Sequence, residues 1–192
     1  MAVFPIVRKG PSAGGDYITL DEATGQKLVT IREKGDGSVP IVIIINNGKY
    51  PIYISAGEII IGGKQDRIVA YDVVVPPRKE LPIEVRCVEH GRWQGARMEF
   101  ESAGAMSGRA AKMAAQFSSQ DAVWHEVAEQ NTQLAAESST GSYRAGISKP
   151  EVEAAYREYA GAILSALEGR NVVGMIVAIN GRVHAIEIFG GP

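Results

Sequence analysis

The sequence is poorest in cysteine. One residue, Cys87, in a chain of 192 leaves no internal disulfide and no all-cysteine metal site. Aromatic side chains are scarce, at 7%. No stretch of 18 or more apolar residues occurs, so no membrane-spanning helix is expected. The first residues lack the apolar core of a secretory signal, and the expected location is the cytoplasm. Charge of one sign is also missing. A net charge of −2, with neither half strongly charged, gives no footprint for nucleic acid or a membrane surface. The three histidines stand apart without H-x-H or H-E-x-x-H spacing, so no metal site is expected from them. Gly62-Gly63 opens no helix, as a Walker or Rossmann loop would require.

What is present is a globular composition, 45% apolar and 22% charged, of a size for a single domain spanning 1–192. Residues 1–100 read as β-structure. Ile41 to Ile45 is a β-branched run typical of a strand covered on both sides. Asn46-Asn47-Gly48 predicts a tight turn into a return strand, Tyr50 to Ser55. From 109 to 168 the apolar spacing becomes helical and predicts three helices, the last opened by Ser148-Lys149-Pro150-Glu151. Strands at 172–179 and 182–189 around Asn180-Gly181 close the chain. Both of their faces are apolar, which predicts interior strands. The expected fold is α+β: an antiparallel β-sandwich or large sheet (1–100 with the hairpin 172–189) and a three-helix insertion (109–168) packed against it.

The segment from 67 to 89 carries the candidate chemistry. A hairpin centred on Arg78 gathers every apolar odd position on one face, pairing Val75 with Leu81 and Val69 with Cys87. Its continuation puts Arg67 opposite Glu89, a charge costly to bury unpaired, so an Arg67–Glu89 ion pair is expected. The other face sets Asp66 across from His90 and Lys64 across from Arg92. Two adjacent cations call for an anion between them. Gly62, Gly63 and Gly91 let backbone approach a ligand, Trp93 offers a flat face for a base, and Glu58 can approach from a neighbouring strand. A purely structural role fits the same pattern, because charges often lock the end of a strand.

These residues resemble one family. Tyr17 to Ala23, Gly57-Glu58, Gly62-Gly63-Lys64-Gln65-Asp66-Arg67, Val75-Pro76-Pro77, Cys87-Val88-Glu89-His90-Gly91-Arg92-Trp93, Gln120 with Val123-Trp124 and Val127, Asn180-Gly181 and Phe189-Gly190 are similar to segments of the ADP-ribosylglycohydrolase, rhodanese and phosphatase-associated domain family. Members of that family often continue past the Phe-Gly segment with a further helix, which this sequence does not show. The resemblance implies binding or processing of nucleotides derived from NAD, by association rather than by a settled reaction. It agrees with the hairpin reading in pointing to Lys64, Arg67, Glu89, Arg92 and Trp93.

The leading expectation is therefore a module for a small anionic, nucleotide-like ligand such as ADP-ribose. Lys64 and Arg92 would meet phosphate, Trp93 would stack, Gln65 would hydrogen-bond a ribose or base edge, and Arg67 would orient Glu89. Were the protein an enzyme, Glu89 or Glu58 would be the general base and His90 a proton carrier. The alternatives are a non-catalytic structural or oligomerising module, and a hydrolase holding a divalent metal on Glu58, Glu89 and His90.

Overall fold

The computed structural model describes residues 1–10, 16–93 and 98–190. Among them the chain is α+β, with mostly antiparallel strands, and it divides into two compact units.

The larger unit, Tyr17–Lys149, is built on a closed six-stranded barrel. Its strands are β3 (Val29–Glu33), β4 (Ile41–Asn46), β6 (Glu58–Gly62), β7 (Arg67–Val69), β9 (Glu80–Cys87) and β10 (Glu99–Met106), in the order β10-β3-β4-β9-β7-β6. The unit also contains a small sheet of β2 (Ile18–Thr19), β5 (Ile52–Ile54) and β8 (Val73–Val75). Alternation along the barrel strands sorts the side chains between two cores. Ile31, Val42, Ile44, Ile60, Val69, Ile83, Val85 and Phe100 point inward, and helix α1 (Leu20–Gly25) adds Leu20 and Ala23 to their cluster. The alternate residues Ile59 and Ile68 face outward, onto α2 (Arg109–Phe117), α3 (Gln120–Gln133) and α4 (Tyr143–Ile147), through Ala111, Val123, Val127 and Tyr143.

The strands thus form a barrel and two three-stranded sheets in place of the expected sandwich or single large sheet. The expected hairpin around Asn46-Asn47-Gly48 does not form, because β3 and β9 already hold both edges of β4. The return segment instead joins β2 and β8. Asn46 is buried and serves the turn differently. Its amide donates to the carbonyls of Tyr50 (2.8 Å) and Val75 (3.0 Å), and its oxygen accepts from Gly48 N.

The smaller unit joins residues 1–16 to 150–192. It holds β1 (Ala2–Val7), α5 (Pro150–Leu167), β11 (Val172–Ile179) and β12 (Arg182–Ile188), with the sheet order β1-β11-β12. The Asn180-Gly181 turn forms as expected, both residues having positive φ (50° and 75°). The terminal hairpin pairs with β1 and does not enter the barrel. Val183, Ile186 and Ile188 are exposed, contrary to the interior placement expected for them. The third expected helix, α5, belongs to this unit, so the three helices do not make one insertion.

Candidate functional site

The candidate residues gather where β6 ends and the chain turns back into β7. Two glycines make that turn possible. Gly62 and Gly63 have φ of 127° and 49°, and a Cβ on Gly63 would run into the Phe100 ring. The second wall of the site is the loop after β9. Backbone bonds pin it to the segment before α4: Gly91 N to Thr140 O at 2.7 Å, Tyr143 N to Val88 O at 2.9 Å, and a bridge between Glu89 and Ser142.

Arg92 ties the two walls together. Its Nε donates to Glu89 Oε2 (2.7 Å), Nη1 to Gly63 O (3.0 Å), and Nη2 to both Gly62 O (3.2 Å) and Asp66 Oδ1 (2.9 Å). Asp66 Oδ1 also accepts from Gly62 N at 3.0 Å. Burial pushes the Asp66 carboxyl above its ordinary range, with the Glu89 charge adding to the rise and Arg92 opposing it. Glu89 is occupied on both oxygens: Oε1 accepts from Thr140 Oγ1 (2.8 Å), and Oε2 also accepts from Asp66 N (3.3 Å). Gln65 is buried, its amide donating to Glu89 O at 2.8 Å.

The expected Arg67–Glu89 pair is not made. The single hairpin expected around Arg78 does not form: β8 pairs with β5, setting Val75 opposite Ile52 in place of Leu81, and only β7 meets β9, two residues out of the expected register, setting Arg67 opposite Cys87. An even shift keeps every side chain on its face, so the apolar pattern permits both registers and could not distinguish them. Arg67 therefore points into the barrel, fully buried. Its Nη2 lies 3.8 Å from Glu33 Oε1, while its Nη1 donates to Gln65 O at 2.8 Å. Burial pulls the Arg67 guanidinium below its ordinary pKa, partly offset by Cys87 and Glu33. Cys87 is buried beside it, its thiol donating to Glu89 O at 3.2 Å. Desolvation raises its pKa, the setting of an inert thiol.

Lys64, Trp93 and His90 form the open side. The Lys64 Nζ donates to Asp36 O and sits 5.3 Å from the centroid of the Trp93 ring, which is 49% exposed. His90 is exposed and meets Trp124 edge-on, with the ring centroids 4.2 Å apart. Lys64 and Arg92 do not face each other as an empty cation pair, since Arg92 spends its donors on the two walls.

Glu58 stands apart from this group. It begins β6, four residues from Gly62, a strand length of roughly 13 Å. Its Oε1 accepts from Ser55 N at 2.9 Å, and Oε2 is buried without a hydrogen-bonding partner. Burial lifts its pKa from 4.5 to about 7, and Asp21 and Asp72 add to the rise. Glu58, Glu89 and His90 thus do not form one centre. Among the described residues, no three His, Cys, Asp or Glu side chains are grouped to hold a metal ion.

The family model of the ARG and Rhodanese-Phosphatase-superfamily-associated Protein domain, ARPP-1, matches residues 1–192. The chain belongs to the ARPP-1 family. No curated protein and no solved structure matches it. The family description names an association and no reaction, so it places ARPP-1 beside other proteins without saying what this site does. Also, no described helix in this ARPP-1 chain is long and apolar enough to cross a membrane.

Two participants, Glu33 and Arg144, were not among the residues the sequence pointed to, and neither was the bond that Thr140, in the small polar loop 138–142, makes to Glu89. Glu33 ends a strand that the reading did not assign, although its parity with Ile31 places it on the inner face. Thr140 lies 51 residues from Glu89, beyond any local pattern. Arg144, in α4, is exposed, and its charge acts on Asp66.

Proposed function

We propose that this barrel end binds a small anionic, nucleotide-like ligand, with ADP-ribose as the representative compound. The observation that carries the reading is the exposed Trp93 face with the Lys64 ammonium above it, beside a rigid polar knot. Trp93 supplies a stacking surface for a base, and Lys64 and the exposed Arg144 supply charge for phosphate. Arg92, Asp66, Glu89, Gln65 and Arg67 act as the frame that holds those groups. Arg92, Asp66, Glu89 and Gln65 spend their hydrogen bonds on one another, on Thr140 and on the backbone, and Arg67 joins them through its Nη1 alone. Glu89 favours binding over catalysis, because three hydrogen bonds and the Arg92 guanidinium hold its carboxylate and leave it a poor proton acceptor.

One observation favours a second reading, a structural or protein-interaction module. Arg92 bonds two carboxylates and two carbonyls of its own chain, as a lock for the barrel end would. A thermal-shift panel of ADP-ribose, NAD, AMP and divalent metals separates the two, since a ligand that binds only the folded state raises Tm. The binding reading expects ADP-ribose to raise Tm in the wild type and not in Trp93→Ala, with the ligand-free Tm of the two proteins close together. If no nucleotide moves Tm, the structural reading stands. A rise with metal alone would support the hydrolase alternative.

A further inference from the structure

We infer that the barrel interior between Arg67 and Glu33 is a built hydration site, with ordered water as its ligand. Both side chains have zero solvent exposure, and their closest approach, Nη2 to Oε1, is 3.8 Å, too long for a hydrogen bond. Arg67 Nε and Nη2 and Glu33 Oε2 are buried without a hydrogen-bonding partner among the described residues. Native proteins rarely leave such groups unmet; an internal water bonded to several of them is the usual solution.

The protein groups around these atoms are already engaged, Gln65 Oε1 with Arg67 Nη1 at 3.4 Å among them. Glu33 Oε1 already accepts from Lys64 N at 3.0 Å. The Gln65 amide nitrogen is spent on Glu89 O, and the Cys87 thiol donates to the same carbonyl. Phe100 presents only its ring, 6.0 Å from the guanidinium carbon. Gly63 is held close by packing: a Cβ there would lie 2.7 Å from Glu33 Oε1.

The chemistry of the donor set selects the ligand. Two donors and one acceptor stand unmet, so the occupant must both accept and donate. Water does so, accepting from Arg67 Nε or Nη2 and donating to Glu33 Oε2. Charge excludes an anion. Glu33 already sets a carboxylate 3.8 Å from Arg67 Nη2, so an added anion would meet a like charge inside the barrel. A metal cation would press against the Arg67 guanidinium. This site is independent of the ligand reading for Trp93 and stands whether or not ADP-ribose binds.

The test is solvent magnetic relaxation dispersion, which registers water held inside the fold, on the wild type and on the Arg67→Met, Glu33→Met double variant. The amplitude should fall in the variant by about one long-lived water. A crystal structure of the wild type should show an ordered solvent peak within hydrogen-bonding distance of both Arg67 and Glu33 Oε2. This second measurement decides the matter if the double variant does not fold. An unchanged amplitude in a folded variant, or a direct Arg67–Glu33 hydrogen bond with no solvent peak, would overturn the inference.

Discussion

Replacing Glu58 by glutamine should stabilise the protein, and only on the alkaline side. In the folded chain burial raises this carboxyl from 4.5 to about 7, with Asp21 and Asp72 contributing in the same direction. The folded state therefore holds a proton that the unfolded state releases near its ordinary value. Below about pH 4.5 both states are protonated and the group leaves stability unchanged. As pH rises toward 7 the unfolded state gives up its proton first, and wild-type stability declines. Above 7 the cost levels off at the full separation of the two values, about 3 kcal/mol. Glutamine is neutral throughout and can still accept the Ser55 N–H bond through its side-chain oxygen. At pH 8 the variant should melt roughly 6–12 °C above the wild type, and at pH 4.5 the two should nearly coincide. Thermal unfolding followed by circular dichroism across that range is the assay. A variant less stable at pH 8, or a difference that does not change with pH, would refute the assignment of Glu58 as a buried proton-holding carboxyl.

Other substitutions probe the polar knot. Arg92→Ala strands Asp66 and Glu89 and should lower unfolding stability by about 2–4 kcal/mol in denaturant titrations, the partial exposure of Arg92 tempering the loss. Arg92→Lys should recover little of it, since an ammonium cannot span two carboxylates and two carbonyls in one plane. Thr140→Val removes the bond to Glu89 Oε1 and should cost about 1.5–3 kcal/mol by the same measurement. Gly63→Ala forces a Cβ toward Phe100 at a φ of 49°, and should reduce Tm while leaving secondary structure content unchanged.

The sequence was most legible where one period dominates. The strand at Ile41–Asn46, the helices α2, α3 and α5, and the terminal hairpin with its Asn-Gly turn all follow from local spacing. Barrel closure was not legible. It depends on β10 pairing with both β3 and β6, and Glu99–Met106 carries serine, alanine and glycine in place of a β-branched run. The register between β7 and β9 failed for a different reason. A shift of two residues costs nothing in burial, while it moves Arg67 from Glu89 to Cys87 and, within the barrel, to Glu33. Sequence reasoning did gather Lys64, Gln65, Asp66, Glu89, Arg92 and Trp93 at one margin, because both turns lie close in the chain to their strands. It could not show that Arg92 is shared among four acceptors, because two of these are backbone carbonyls.

The central claim, that the exposed Trp93 face receives a nucleotide-like anion, is tested most directly by NMR of the two tryptophan indole N–H groups during titration with ADP-ribose. The Trp93 indole signal should shift and saturate while the Trp124 signal moves little, and the shift should disappear at high salt as the Lys64 and Arg144 charges are screened. A Trp93 signal that stays fixed to saturating ADP-ribose would contradict the claim.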